Sequence, residues 1–499
     1  MTTRTQRRIH VSEVLGILGG FMVALASAML LPALVALLYG ETTWIDFLWS
    51  AMLCGVTGGI LFILFRPREE LRMREAFLIV SLTWLVGSLA GALPYWLSET
   101  LLSYTDSVFE VMSGFSTTGS SILGGTTHEG IVNPAIESID RSLLFWRSLT
   151  HWIGGMGIIL LTLALLPLLG IGGMQLFKAE YSGSTADKIT PRIQETAKLL
   201  WTVYVGLTCT QFLLLWVHPS MDWFDALNHA FSTLATGGFS TRNASVGAFD
   251  SIYIEIVIIL FMFLAGINFA LHFRLFTGRA AAVIQNSELR FYTFLTLLFV
   301  TGVTISLWAS HSLSFGQALR SSSFQVISIL TTTGFGTDDY TLWPHLPFAL
   351  LFVLFFTGGC AGSTSGGIKM LRISIILKNI QREFRQTLHP HAVLPIRLGK
   401  RIVSPSVLRT ILSFLMLYLL LFLTGTILLA GLGYDPYSAM SASIASIGNI
   451  GPGWGAFGPA ESYAHIPVIG KWVLIVLMMI GRLEIITVLI LFTPWFWKN

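Results

Sequence analysis

Charged residues are scarce in this chain. Lysine, arginine, aspartate and glutamate make up only 11% of its 499 residues, whereas soluble domains carry about 25%. Hydrophobic residues make up 54%, and the mean hydropathy is +0.72. This composition excludes a soluble globular protein and indicates an integral membrane protein surrounded by a lipid bilayer.

Cysteine is also scarce. The three cysteines, Cys54, Cys209 and Cys360, lie in apolar surroundings and form no CxxC motif. We interpret them as core residues, which excludes a disulfide framework and a cysteine metal site. The histidines lack the spacing of metal ligands, and no nucleophile–base set is present. We therefore predict that the protein is not an enzyme.

The cations that are present cluster beside apolar spans. Cationic loops stay in the cytoplasm, so we predict that both termini are cytoplasmic. The connectors between these clusters carry few cations, namely Arg141, Arg147, Arg242, Arg320 and Lys471. We expect those connectors to lie outside, and we interpret the clusters as topology signals, not as a nucleic-acid surface. The first apolar span, 11–39, is too long for a cleaved signal peptide.

Ten apolar spans predict an all-α membrane protein. Two N-terminal transmembrane helices (1–66) come first. Four repeats of membrane helix, pore helix and membrane helix follow, around one pseudo-fourfold pore. The predicted repeats cover 67–178, 179–280, 281–400 (with a broken gating helix) and 401–499.

A glycine loop recurs about every hundred residues. The loops are SGFSTTGSS (113–121), TLATGGFST (233–241), LTTTGFGTD (330–338) and ASIGNIGPG (445–453). Consecutive backbone carbonyls can ring a dehydrated cation, and glycine permits the required backbone angles. The predicted filter residues are Thr117, Thr118, Gly119, Ala235, Thr236, Gly237, Thr332, Thr333, Gly334, Ile447, Gly448 and Asn449. The alternative is four ordinary Gly/Thr turns.

A second glycine-rich run, TGGCAGSTSGGIK (357–369), interrupts the predicted inner helix of the third repeat. It cannot form a stable helix facing lipid, which favours a gate over the alternative of tight helix packing. The predicted gate residues are Gly358, Gly359, Gly362, Ser363, Thr364, Ser365, Gly366 and Gly367. The run is not a nucleotide-binding P-loop, because Ile368 stands where the lysine is needed.

One arginine, Arg482, lies well inside the last apolar span. A buried arginine in a membrane is costly and is functional by default. Facing the pore, it would raise a barrier to cations. The alternative is a structural ion pair with a carboxylate on a neighbouring helix; Glu484 is a poor candidate, because residues i and i+2 lie on different helix faces.

At these residues the chain resembles the Trk/Ktr/HKT superfamily of potassium transporters, and the Trk membrane subunit most closely. The motifs that carry the resemblance are HWIGGMGIILL (151–161), LPLLGIGGMQLFKAE (166–180), DKITPRIQETAKLLW (187–201), GSTSGGIK (362–369) and SIGNIGPG (446–453). The resemblance implies filter glycines at Gly119, Gly237, Gly334 and Gly448, a gating loop at 357–369 and a pore arginine at Arg482. Glycine at 119 favours potassium over sodium, whereas Ile447 departs from the threonines of the other repeats.

The same resemblance implies a homodimer in a bacterial inner membrane, gated by a cytosolic nucleotide-binding regulatory subunit. We therefore predict a channel-like potassium uptake protein, whose ligand is K⁺. A secondary transporter with discontinuous helices is the rival hypothesis. The common orientation of the four units favours a pore, and a membrane enzyme is a distant third alternative.

Overall fold

The protein is helical almost throughout. The structure is a computed structural model that describes residues 9–66, 72–165, 189–399 and 401–498. The predicted all-α membrane protein is confirmed. Within the described residues, strand is confined to one antiparallel hairpin of β1 (Arg397–Leu398) and β2 (Arg401–Ile402).

The N-terminal helices form a tight pair. Helix α1 (Val11–Tyr39) ends at Gly40, which has the left-handed φ of 70°, and α2 (Trp44–Leu64) runs back along it. The two backbones approach so closely that a β-carbon on Gly19 would lie 2.6 Å from the carbonyl oxygen of Gly58. Small residues thus let these two apolar helices pack.

Four units of helix, short helix, loop and helix follow. The first contains α3 (Met73–Gly91), α4 (Leu93–Leu97), α5 (Tyr104–Phe115) and α6 (Arg141–Leu165). The second contains α7 (Ile189–Trp216), α8 (Trp223–Leu234), α9 (Ile252–Ala265), α10 (Phe269–Phe276) and α11 (Ala280–Ile284). The third contains α12 (Ser287–Ala309), α13 (Phe315–Leu330), α14 (His345–Leu354) and α15 (Met370–Leu388). The fourth contains α16 (Pro405–Gly431), α17 (Pro436–Gly448), α18 (Val468–Arg482), α19 (Ile486–Leu489) and α20 (Pro494–Trp497).

Short 3₁₀ turns complete the list. Each connection from a half-helix to the next long helix contains one, at Ile136–Ser138, Ser245–Phe249, Tyr340–Leu342 and Gly455–Phe457. A further turn, Ile490–Phe492, follows α19. The four connections are therefore built alike.

The membrane spans are less regular than predicted. By length and composition, six described helices could cross a membrane, and two further spans are helix pairs bent by 102° (α9 with α10) and 113° (α18 with α19). The apolar stretches 252–276 and 466–493 are each bent and form no straight span. The apolar stretch 348–378 is divided between α14 and α15, and the stretch 143–169 runs beyond the described residues.

The half-helices α5, α8, α13 and α17 begin with polar caps in three of four units. Asp222 and Asp435 accept hydrogen bonds from the backbone N–H groups of Asp225 and Ser438, and Ser314 forms a capping box. These caps satisfy N–H groups that the helix leaves unpaired. In the first unit α5 has no such side-chain cap; Asp106 lies inside its first turn, and its carboxylate binds Lys471.

The predicted boundaries between units remain predictions. Those near 66, 178 and 400 fall in or beside stretches outside the described residues, and the boundary at 280 falls at α11. The motif at 166–180 and the start of the motif at 187–201 also lie outside the described residues.

Candidate functional site

The four half-helices end in one backbone conformation. One or two residues beyond the last residue of each helix, the chain is left-handed at a residue that is not glycine: Thr117 (φ 51°), Thr236 (φ 54°), Thr332 (φ 56°) and Asn449 (φ 53°). The next N–H group bonds to the carbonyl five residues earlier, in the pairs Thr118–Ser113, Gly237–Ser232, Thr333–Ser328 and Ile450–Ala445, at 2.8–2.9 Å. This is the Schellman motif, and it fixes which residues of the four loops are equivalent.

A left-handed glycine stands two residues further along in every loop. These ring glycines, as we call them, are Gly119 (φ 85°), Gly238 (φ 79°), Gly334 (φ 79°) and Gly451 (φ 100°). The predicted equivalence of Gly119, Gly237, Gly334 and Gly448 is therefore wrong in the second and fourth loops, by one and three residues. Sequence alone offered two candidate glycines in each of those loops, and only the backbone conformation separates them.

In the corrected register, three of the predicted filter residues belong to the half-helices or their caps and not to the ring. Ile447 and Gly448 are the last residues of α17, and Ala235 caps α8 with right-handed backbone angles. The other predicted filter residues lie in the loops, and the structure brings all four loops together.

The ring glycines form a closed circuit of contacts. A side chain at Gly119 would collide with the carbonyl oxygen of Gly237, one at Gly238 with that of Thr333, one at Gly334 with that of Ile450, and one at Gly451 with that of Thr118. Each loop thus packs against the next one, and the fourth loop packs against the first. Two hydrogen bonds also join the fourth loop to the first, from Asn449 Nδ2 to Thr118 Oγ1 (2.9 Å) and from Ser120 Oγ to the Gly451 carbonyl (3.1 Å).

Four carbonyl oxygens in this ring find no hydrogen-bond donor among the residues that the structure describes. They belong to the equivalent residues Thr118, Gly237, Thr333 and Ile450, all of which are buried. Within the described part of the chain, none of these oxygens accepts a hydrogen bond. Buried backbone groups are nearly always paired, so four unpaired oxygens at equivalent positions fit a cation, which would accept all four as ligands.

One cavity of about 780 Å³ borders all four loops. Its lining includes Gly119, Gly238, Gly334 and Pro452. It also includes two arginines, a glutamate and a histidine, namely Arg147, Arg242, Glu461 and His465. We call this cavity the vestibule.

The positive charge of the vestibule is compensated. Arg147 and Arg242 are each paired at 2.6 Å with a carboxylate, Glu110 and Asp225. The hydrogen bond that Arg242 donates to Asp225 raises the pKa of Arg242, whereas burial lowers the pKa of His465 and so disfavours the charged form of its ring. A cation entering the vestibule therefore meets no uncompensated positive group among these side chains.

The Glu110–Arg147 pair braces the first two loops, and sequence reasoning missed it. Arg147 Nε donates to Glu110, its Nη1 donates to the Ser240 carbonyl, and its guanidinium lies 3.5 Å from the Phe239 ring centroid. Glu110 also accepts from the Ser121 hydroxyl and the Ile122 N–H. A glutamate in an apolar half-helix was the available signal, because a buried carboxylate needs such partners.

The predicted gate residues between Gly358 and Gly367 lie in one buried loop, residues 355–369, between α14 and α15, whereas Arg482, also predicted to belong to the gate, ends α18. Ser363, Thr364 and Ser365 are at most 1% exposed. A parallel bridge between Thr357 and Ile368 closes the base of the loop. Gly362 (φ 79°) and Gly367 (φ 59°) supply the left-handed turns that other residues resist.

Two neighbouring helices hold this loop through backbone hydrogen bonds. Glu288 Oε1, on α12, accepts from the N–H groups of Ala361 (2.6 Å) and Leu371 (3.1 Å). At the bend of the second unit, the Gly266 carbonyl accepts from Cys360 N–H (2.8 Å), and Asn268 Nδ2 donates to the Ala361 carbonyl (2.6 Å). The bend between α9 and α10 is therefore a docking point for the loop.

Arg482 lies against the same loop. It is 2% exposed; its Nη1 donates to the Thr364 carbonyl at 2.6 Å, and its Nη2 to the Gly154 carbonyl at 3.5 Å. In the described part of the chain, no ion pair includes Arg482, whereas Glu484 pairs with Arg372 on α15. The ion-pair alternative for Arg482 therefore finds no support among these residues.

Comparison with known proteins identifies the family. The family model for TrkH, described as a cation transport protein, matches residues 46–498. The chain belongs to the TrkH family of cation transport proteins. The resemblance inferred from sequence is thus confirmed.

Several TrkH-family relatives are similar over nearly their whole length. The Trk system potassium uptake protein TrkH of Salmonella typhimurium is 41% identical over 497 residues, covering 98% of this chain and 100% of the relative. TrkG of Escherichia coli, also named a Trk system potassium uptake protein, is 35% identical, with 96% and 97% covered. The crystal structure of the potassium transporter TrkH from Vibrio parahaemolyticus matches with a TM-score of 0.89 at 36% identity, covering 98% of this chain and 100% of that one.

Proposed function

We propose that this protein takes up potassium across the plasma membrane through a filter of backbone carbonyls. The observation that carries the proposal is the ring of four buried carbonyl oxygens that accept no hydrogen bond within the described residues. The names of the TrkH-family relatives, which are potassium uptake proteins, support potassium as the transported ion. K⁺ is here the cargo and not a resident cofactor.

The filter that we propose follows the corrected register. Thr118, Gly237, Thr333 and Ile450 supply the carbonyls, and the ring glycines make room for them. Thr117, Thr236, Thr332 and Asn449 turn the chain at the ends of the half-helices. Because each half-helix carries partial negative charge at its C-terminal end, the four ends together favour a cation near the ring.

The loop 355–369 and Arg482 form the proposed gate. A buried loop that is rich in glycine can rearrange at low conformational cost, and the guanidinium of Arg482 adds a positive charge beside it. We also propose, by the family resemblance, a cytosolic nucleotide-binding regulatory subunit and a homodimer. The four repeats, the cytoplasmic termini and the bacterial inner membrane belong to the same proposal.

Ion flux into proteoliposomes tests this function. The purified protein should admit K⁺ down an imposed gradient and should admit Na⁺ much more slowly. Repeating the measurement with an imposed proton or sodium gradient, at equal K⁺ on both sides, separates a pore from a coupled transporter. A pore carries no net K⁺ under that second condition, and uphill K⁺ movement would favour the secondary-transporter alternative. Protein-free vesicles are the control, and absence of K⁺ flux would overturn the proposal.

A further inference from the structure

The four half-helix ends share a backbone conformation that favours glycine, yet none of them uses glycine. Threonine stands there three times and asparagine once, all with φ between 51° and 56°. A β-branched residue in the left-handed region costs about 1–2 kcal/mol. The side chains at these positions must therefore contribute something that glycine cannot.

Those four side chains have different partners. Thr236 Oγ1 donates to the carbonyl of Ala235, its own neighbour, at 2.6 Å. Asn449 Nδ2 donates to Thr118 Oγ1 and to the Met478 carbonyl. Thr117 Oγ1 has no hydrogen-bond partner within the described residues. Among the four, only Thr332 binds the loop 355–369: its Oγ1 accepts the Gly366 N–H at 2.6 Å.

Gly366 fits closely at that contact. A β-carbon on Gly366 would collide with the Gly448 carbonyl oxygen and would lie 2.9 Å from the Asn449 side chain. The neighbouring Thr364 donates its hydroxyl to the Leu234 carbonyl at 2.9 Å. The tip of the loop is thus wedged against the C-terminal ends of α8, α13 and α17, which carry three of the four ring segments.

We propose that the Thr332 hydroxyl is the latch that holds the gating loop closed against the filter. Thr332 has left-handed backbone angles at the end of α13, and it immediately precedes Thr333, whose carbonyl belongs to the ring. The side chain of Thr332 therefore contacts the gating loop, whereas the carbonyl of the following residue, Thr333, belongs to the filter. The inference rests on the proposed function and makes Thr332 a positioning residue for gating, which is distinct from supplying a ligand to the ion.

The native Cys360 offers a readout that needs no ion flux. It is 1% exposed and lies in the loop, where its N–H is bonded to Gly266. In a Cys54→Ala/Cys209→Ala background, the rate at which a small thiol reagent labels Cys360 reports opening of the loop. Thr332→Val removes the hydroxyl and keeps the β-branched shape. Labelling should accelerate about fivefold, the factor expected for losing one neutral hydrogen bond.

Four further variants distinguish the loss of the Thr332–Gly366 hydrogen bond from a general loss of structure. Thr332→Ser keeps the hydroxyl and should label at the rate of the background protein. Thr236→Val changes the equivalent position of the second loop and should leave Cys360 labelling unchanged. Gly366→Ala disturbs the same contact by a change in the loop and should accelerate labelling of Cys360. Thr424→Val, on an exposed face of α16, should change neither labelling nor flux.

Potassium flux per folded protein completes the test. Thr332→Val should raise basal flux by a factor similar to the acceleration of labelling. Equal labelling rates in Thr332→Val and Thr236→Val, or a Thr332→Ser variant that behaves like Thr332→Val, would overturn the latch. If the proposed function itself is wrong, the wild-type protein carries no K⁺, and the labelling comparison still decides whether Thr332 holds the loop.

Discussion

Each ring glycine occupies a position at which a β-carbon has no room. At Gly451, φ is 100°, and a β-carbon would lie 2.7 Å from the carbonyl oxygen of Thr118. Gly448 differs, because it belongs to α17 and the nearest atom to a β-carbon there is the end of the Ile450 side chain, at 3.0 Å. Alanine substitutions at these two glycines, which are three residues apart, can therefore be compared directly.

We predict that Gly451→Ala weakens discrimination between K⁺ and Na⁺ by about tenfold or more, equivalent to about 1.4 kcal/mol. The added methyl group would displace the Thr118 carbonyl from the ring. Gly448→Ala should have a clearly smaller effect, since its backbone is helical. The measurement is the ratio of K⁺ to Na⁺ flux in proteoliposomes, and a larger effect of Gly448→Ala would reject the corrected register.

Arg482 gives a second prediction at this scale. Arg482→Ala removes a buried charge and its bond to the Thr364 carbonyl, so K⁺ flux should rise severalfold. The flux ratio of K⁺ to Na⁺ should change little, because the ring that we propose to set it is intact. Arg482→Lys keeps the charge and is the matched control. Unchanged flux per folded protein in Arg482→Ala would show that the guanidinium is no barrier.

The sequence predicted the four loops but could not align them. Gly237 and Gly238 are adjacent, and Gly448 and Gly451 both follow small or polar residues, so composition does not separate them. The equivalence depends on which residue adopts the left-handed conformation, and that depends on where each half-helix ends. Helix ends are the least certain part of a sequence-based prediction. The Glu110–Arg147 and Arg372–Glu484 pairs were missed because their members are far apart in the chain.

At the scale of elements, three second helices of the repeats are broken. Hydropathy indicated only the break at 357–369, because that run is rich in glycine. The bends at Gly266–Asn268 and Leu483–Ile485 contain only isolated glycine or polar residues within apolar stretches, and such isolated residues do not by themselves predict a break. At the second bend, Glu484 (φ 63°) and Ile485 (φ 51°) are left-handed. Tertiary contacts offset this backbone strain, because Arg372 forms an ion pair with Glu484.

The gating loop carries the prediction for this scale. Deleting residues 362–366 should leave a folded protein with raised basal K⁺ flux, because Glu288 can still bind the N–H groups of Ala361 and Leu371. The elution volume and thermal stability of the purified protein in detergent check folding. Replacing the exposed segment 391–393 with three glycines is a control that should leave flux unchanged. Normal folding together with wild-type flux would mean that the loop is only a packing element.

At the scale of the whole molecule, ion pairs neutralise the cations of the connectors that the sequence singled out. All five of these cations are paired, as Arg141–Asp222, Arg147–Glu110, Arg242–Asp225, Arg320–Glu255 and Lys471–Asp106.

The ion pair Lys471–Asp106 also connects the last unit to the first. It joins α18 of the last unit to α5 of the first at 2.6 Å, and both side chains are at most 4% exposed. Breaking one partner of a buried pair costs about 3–5 kcal/mol, because it leaves an uncompensated charge, whereas replacing both partners can be nearly neutral. Lys471→Met should therefore lower the unfolding temperature of the purified protein by many degrees.

The double variant Asp106→Asn/Lys471→Met should recover most of that loss, because neither remaining side chain is charged. Glu383→Gln breaks an exposed pair with Arg382 and should cost less than about 1 kcal/mol, which makes it the surface control. Thermal unfolding of these proteins and of the single variant Asp106→Asn, all in one detergent, is the measurement. Because this pair joins the first unit to the last, a large coupling between residues 106 and 471 would show how strongly it stabilises the closed ring. Additive losses in the double variant would show that the pair does not hold the two units together.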